Sequence, residues 1–166
     1  MGAERSARYN LDRMRRAVRS ALHNLHASDH YLLEHGIHER AMSHRLAVYL
    51  ELQFPGWDID CEYNKFGGRP KLAPTASRSK RPDIIVHHRG RDYDNLLAVE
   101  IKKLQTICQS DHEKLEGCIH HLGYQWAVCV SINPDGAMLE WQSPTMAAPV
   151  VDELRWSELK EVGSAV

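Results

Sequence analysis

The stretch PDIIVHHRGRDYDNLLAVEIK, Pro82 to Lys102, decides the fold. Ile84-Ile85-Val86 is a short apolar run that opens straight after Pro82-Asp83, and Leu96-Leu97-Ala98-Val99-Glu100-Ile101-Lys102 is a longer one. Arg89-Gly90-Arg91-Asp92 between them is turn-forming, so the two runs predict paired strands of a hairpin. Successive side chains on a strand alternate between faces, which sets Glu100 and Lys102 on one face and Val99 and Ile101 on the other. The strand is too apolar for a simple exposed edge, and a buried carboxylate and ammonium must be compensated nearby. A hairpin brings the start of one strand beside the end of the other, so Asp83 and Glu100 are expected as neighbours. Two adjacent carboxylates repel unless a divalent cation lies between them. Oxygen ligands completed by water suit Mg²⁺, with Mn²⁺ able to substitute, and argue against zinc.

Outward from this hairpin the pattern is mixed. Asn10 can cap a helix carrying Leu11, Met14, Val18, Leu22 and Leu25 at helical spacing. A short helix is expected over Asp29 to His35, and a stronger one from Ile37 to about Phe54, stopped by Pro55-Gly56. Asp58 to Tyr63 alternates as a half-buried strand. After the hairpin, Asp111 can cap a helix reaching Leu122, and Gln125 to Ile132 reads as a buried strand. Asn133 to Gly136 then makes a turn, and Ala137 to Trp141 an edge strand. Val151 to Glu161 reads as an amphipathic acidic helix or a loose end. The expected fold is α/β, a mixed central sheet flanked by helices, in one domain over residues 1–166. Within it, 1–30 is an N-terminal helical extension, 37–132 the core, 65–81 a basic loop and 150–166 a C-terminal tail.

Composition adds bounds. Hydrophobic residues at 43% and charged residues at 26% are ordinary for a globular chain. No apolar stretch has membrane-spanning length and no secretory signal is visible, so a cytoplasmic protein with no membrane partner is expected. The four cysteines lack metal-like spacing and read as reduced structural thiols; the 11 histidines likewise match no ligand motif, with His44 a mild exception. The net charge of −1 hides a polarity: residues 1–81 hold 14 Lys/Arg against 9 Asp/Glu, residues 82–166 hold 7 against 13. A basic half that draws in a polyanion beside an acidic half that holds cations is one reading of it. The loop 65–81 contributes Lys65, Arg69, Lys71, Arg78, Lys80 and Arg81 and no acid, a candidate nucleic-acid clamp.

Pro82-Asp83, a spacer of 16 residues and Glu100-Ile101-Lys102 together resemble the signature of the PD-(D/E)XK nuclease superfamily, the restriction endonuclease-like fold. The family's α-β-β-β-α-β core matches the element order over roughly the central 100 residues. The resemblance implies a metal-dependent nuclease with Asp83 and Glu100 as metal ligands, the Ile101 carbonyl as a further candidate ligand, and Lys102 as the catalytic lysine. Glu39 occupies the place of the glutamate that many members carry on the first core helix, a further catalytic and metal-binding candidate. DNA is expected ahead of RNA as partner, and two-strand cleavage by so small a chain would call for a homodimer. Gln109 is followed four residues later by Glu113, which departs from the Gln-x-x-x-Tyr motif of some exonuclease branches. Lys103, Gln105, Asp111 and Lys114 are close enough in sequence to touch the site or substrate, and Glu62 is a candidate extra ligand. The alternative is a non-catalytic nucleic-acid-binding or assembly protein that retains the fold, or a structural protein in which Glu100 and Lys102 form an ion pair.

Overall fold

In the computed structural model of the chain, the described residues are 9–35, 38–62, 65–66, 69–70, 82–91, 94–103 and 106–161. Asn10 caps α1 (Leu11–Ser28) by accepting from the Arg13 amide at 3.0 Å. The apolar stripe of α1, Met14, Val18, Leu22 and Leu25, is fully buried. A single turn-rich helix α2 (His30–Glu34) follows, then α3 (Glu39–Glu51). This last helix is shorter at both ends than the expected 37–54: Gln53 and Phe54 already bond back to the Leu50 carbonyl as a turn. Asp29 joins the helices, accepting from Arg45 Nε at 2.8 Å and Tyr49 Oη at 2.5 Å on α3.

The strands are β1 (Asp58–Cys61), β2 (Lys65–Phe66), β3 (Arg69–Pro70), β4 (Ile84–His87), β5 (Asn95–Lys103), β6 (Trp126–Asn133), β7 (Gly136–Gln142) and β8 (Val150–Arg155), with α4 (Gln109–His120) between β5 and β6. Six strands form one mixed sheet in the order β1-β4-β5-β6-β7-β8. All neighbours are antiparallel except β5 and β6, the parallel pair that the α4 crossover connects. The chain is therefore α/β, a six-stranded mixed sheet flanked by helices.

Strand parity divides the core. Ile84, Val86, Leu97, Val99, Ile101, Val128, Val130, Leu139 and Trp141 pack toward α1 and α3, whereas Ile85, Ala98, Ala127 and Cys129 pack with Leu115, Cys118 and Ile119 of α4. Among the described residues no helix is long and apolar enough to cross a membrane. Cys118 and Cys129 are buried in the α4 layer, and all four cysteines are free.

Several expectations are corrected. The segment after Val150 is not a loose tail, and its first half is not helical: only Trp156–Glu161 is helical, as a 3₁₀ helix, and Val150–Arg155 pairs along β7 as β8. Its alternation is disguised because the inward Asp152 is polar, and it is tolerated because Arg15 of α1 donates to both its oxygens at 2.7 and 2.8 Å. Consequently β7 is an interior strand rather than an edge. The 65–81 segment opens with a small ladder, Lys65 opposite Pro70 and Phe66 opposite Arg69, where a loop was expected. Helix α4 begins at Gln109, with Cys108 as its cap and Asp111 on its third residue.

Candidate active site

The Ile84–Val99 and Ile85–Ala98 pairs, continued one step beyond β4, set Asp83 opposite Glu100. Asp83 Oδ2 accepts from the Ile101 amide at 2.7 Å, so the carboxylate is fastened across the strand gap. The expected neighbourhood of Asp83 and Glu100 is thus present. Burial raises the pKa of both; for Glu100 the nearby Asp83 charge pushes in the same direction, and for Asp83 the Glu39 charge does. Lysine charges from Lys114 and Lys102 oppose the rise on each.

Lys102 shares the sheet face of Glu100, as parity requires. Its Nζ lies 4.0 Å from Glu100 Oε1 but 2.9 Å from Asp111 Oδ1, so its closer partner is Asp111. Asp111 serves two roles. Its Oδ2 accepts the Cys108 amide at 3.0 Å, closing the α4 capping box, while Oδ1 holds Lys102. Burial would raise the Asp111 pKa, but the Cys108 amide and Lys102 outweigh it and leave it lowered. Burial likewise works against the Lys102 ammonium, and Asp111 and Glu100 outweigh it and leave its pKa raised.

Lys114, one turn along α4 from Asp111, donates to Glu100 Oε2. Both side chains are nearly buried, at 11% and 7% exposure. Glu39 reaches in from the first turn of α3, its Oε1 accepting from the Lys103 amide at 3.1 Å. Lys103 itself turns away, its Nζ donating to the Leu32 carbonyl at 3.2 Å. The C-terminal end of β5 therefore gathers Asp83, Glu100 and Asp111 with Lys102 and Lys114, and Glu39 lies near enough for its charge to act on Asp83.

Other candidates fall elsewhere. Glu62 pairs with Arg40 at 3.2 Å on an exposed surface, Gln109 meets only Glu113 at 3.4 Å, and His44 is exposed on α3. Lys71, Arg78, Lys80, Arg81 and Gln105, with the side chains of Lys65 and Arg69, lie outside the described residues. The α1 arginines are in part structural: Arg13 donates to the Gln53 carbonyl at 3.1 Å and Arg15 to Asp152. The histidines largely pack or pair: His26 stacks on Trp156, His88 on Trp57, and buried His87 meets Asp60 at 2.8 Å.

The sequence places Asp111 and Lys114 near enough to touch the site, but not the particular pairs Lys102–Asp111 and Lys114–Glu100. Their signal was the parallel crossover: a helix joining β5 to a parallel neighbour must start where β5 ends, which aims residues 111 and 114, three apart on one helical face, at Glu100 and Lys102.

Among the described residues no group of three or more His, Cys, Asp or Glu side chains is placed to hold a metal ion. The donor set nonetheless fits Mg²⁺, which is held by one or two carboxylates and keeps several waters. Asp83 and Glu100 are the two carboxylates that could form such a pair, each with its pKa raised by burial beside a second carboxylate. No protein-family model, curated protein or solved structure matches the chain.

Proposed function

We propose that the chain is a metal-dependent nuclease with a restriction endonuclease-like core, hydrolysing phosphodiester bonds in nucleic acid, DNA ahead of RNA. The observation that carries this reading is Asp83 opposite Glu100 with Lys102 on the same face. The run of α3, β1, β4, β5, α4 and β6, counted without the small β2–β3 ladder, supports it as the α-β-β-β-α-β order. Asp83 and Glu100 would hold Mg²⁺ or Mn²⁺, with the Ile101 carbonyl and Glu39 as further candidate ligands. When bound, the ion supplies Lewis acidity that polarises a phosphoryl oxygen and acidifies water.

The chain's own groups do the rest. Lys102, aligned by Asp111, orients the attacking water and stabilises negative charge as it develops on the phosphate. The water oxygen bonds to phosphorus, one ester P–O bond breaks, and the products are a phosphomonoester and a hydroxyl. Glu39, steadied by the Lys103 amide, adds acidity at the rim. The basic residues between Lys65 and Arg81 would hold the backbone in a salt-dependent manner, and cutting both strands would use a homodimer.

The test incubates purified protein with single-stranded, duplex and branched DNA and with RNA, in Mg²⁺ or Mn²⁺, beside Lys102→Ala. Wild type should cut at least one substrate and the variant should lose roughly 100-fold in rate. No cutting by wild type, or equal cutting by the variant, overturns the assignment.

The mutual pairing of Lys102 with Asp111 and Lys114 with Glu100 favours a second reading, a non-catalytic nucleic-acid-binding or assembly protein in which these ion pairs only stabilise the sheet end. Calorimetry separates the two: that reading expects no Mn²⁺ binding, and the nuclease reading expects binding that Asp83→Ala abolishes.

A further inference from the structure

We propose that Lys114 is an exchangeable counter-cation, neutralising Glu100 until a divalent ion takes that carboxylate and then turning to the phosphate of the nucleic acid. The inference rests on the nuclease reading above.

The two lysines at the end of β5 have different partners. Lys102 is fixed by Asp111 at 2.9 Å, and Asp111 is itself fixed by the Cys108 amide at 3.0 Å, so this pair is a rigid part of the helix cap. Lys114 is attached to Oε2 of Glu100, the carboxylate that the nuclease reading assigns to the metal. An ammonium at hydrogen-bonding distance opposes a metal at that oxygen by charge repulsion and by occupying one of its two lone pairs. Metal entry therefore displaces Lys114. The backbone need not move, because the ammonium sits on an unbranched four-carbon stem projecting from α4. A displaced ammonium in a nearly buried site requires a new anion, and the incoming phosphate is the one the reaction provides. Asp111 is a poor alternative, since Lys102 already neutralises its charge.

Titration calorimetry with Mn²⁺ alone, without nucleic acid, compares wild type, Lys114→Met and Lys114→Gln. Removing the competing charge should tighten Mn²⁺ binding by about tenfold. Cleavage of a panel of single-stranded, duplex and branched DNA at saturating Mn²⁺ should meanwhile slow by at least roughly tenfold. Movement in opposite directions is the signature, because a merely structural lysine would weaken both. Equal or weaker Mn²⁺ binding by both variants overturns the inference and leaves the nuclease reading standing. Tighter binding with unchanged cleavage overturns the transfer to phosphate. Absence of Mn²⁺ binding in wild type overturns the nuclease reading itself. The glutamine variant carries the comparison if the methionine variant melts before the titration temperature.

Discussion

Burial and mutual repulsion make Asp83 and Glu100 poor places for negative charge in the metal-free chain. Both carboxyls have folded pKa values above their ordinary 3.8 and 4.5. The sign follows from linkage: the folded state binds these protons more tightly than the unfolded chain does. Their contribution to stability is present below the ordinary values and is lost as pH rises through the raised folded ones. Asp83→Asn keeps an oxygen for the Ile101 amide and removes the charge, so at neutral pH it should melt roughly 3 °C higher than wild type. That advantage should shrink as pH falls through the raised folded value and be gone by about 3.8, because folded wild-type Asp83 takes up its own proton above that ordinary value. Thermal melts from neutral to acidic pH check this, and a variant that melts lower at neutral pH sinks it. At this scale Asp83, Glu100 and Lys102 were legible because alternation along one strand and the closure of one hairpin are local rules. Asp111 and Lys114 were legible only as residues near the site along the chain; their pairing with Lys102 and Glu100 was not, because it follows from a crossover that only the assembled sheet reveals.

Elements that obeyed one period were legible, and those whose pattern was broken by a long-range partner were not. Helix α1 and strand β5 carry uninterrupted stripes or runs, whereas β8 places Asp152 where an apolar residue would mark the inner face. The closure of β8 on β7 makes a sharp demand at Gly136, which pairs with Arg155. A Cβ there would lie 1.9 Å from the Leu154 carbonyl oxygen and 2.9 Å from its carbon, both backbone atoms that no rotamer change can remove. The turn before it is equally fixed: Asn133 Oδ1 accepts the Asp135 and Gly136 amides at 2.9 Å each, and Trp156 Nε1 donates to the Asn133 carbonyl at 3.1 Å. Gly136→Ala should therefore destabilise by about 3 kcal/mol and lower the melting temperature by roughly 9 °C. Gly117→Ala is the contrast. That glycine lies within α4 with open space where its Cβ would be, and the substitution should be neutral or stabilise by about 0.5 kcal/mol or more. Denaturant melts of the two variants test the pair, and equal stabilities would contradict this account of the β7–β8 junction.

Across the whole molecule, the division into a basic half and an acidic half does not mark two separable parts. Arg15 of the basic half clamps Asp152 of the acidic half, joining α1 to the last strand. Helix α1 precedes α3 and the sheet along the chain, and the sequence reads residues 1–30 as an extension. In the structure it is one wall of the main core, with Met14, Ala17, Val18, Ala21, Leu22 and Leu25 buried against α3 and the sheet. Burying a Met, Val or Leu side chain stabilises by roughly 1.5–3 kcal/mol, so Met14, Val18, Leu22 and Leu25 together contribute about 6–12 kcal/mol. That sum is comparable to the roughly 5–15 kcal/mol that separates a folded domain from its unfolded chain. Removing α1 would expose the apolar face of the sheet and leave the half-buried Asp152 carboxylate without its guanidinium, a further penalty. A chain lacking residues 1–28 should show no cooperative thermal transition by circular dichroism and should bind a hydrophobic dye strongly. A sharp two-state melt from that shortened chain would mean that the core around Asp83 and Glu100 folds without α1.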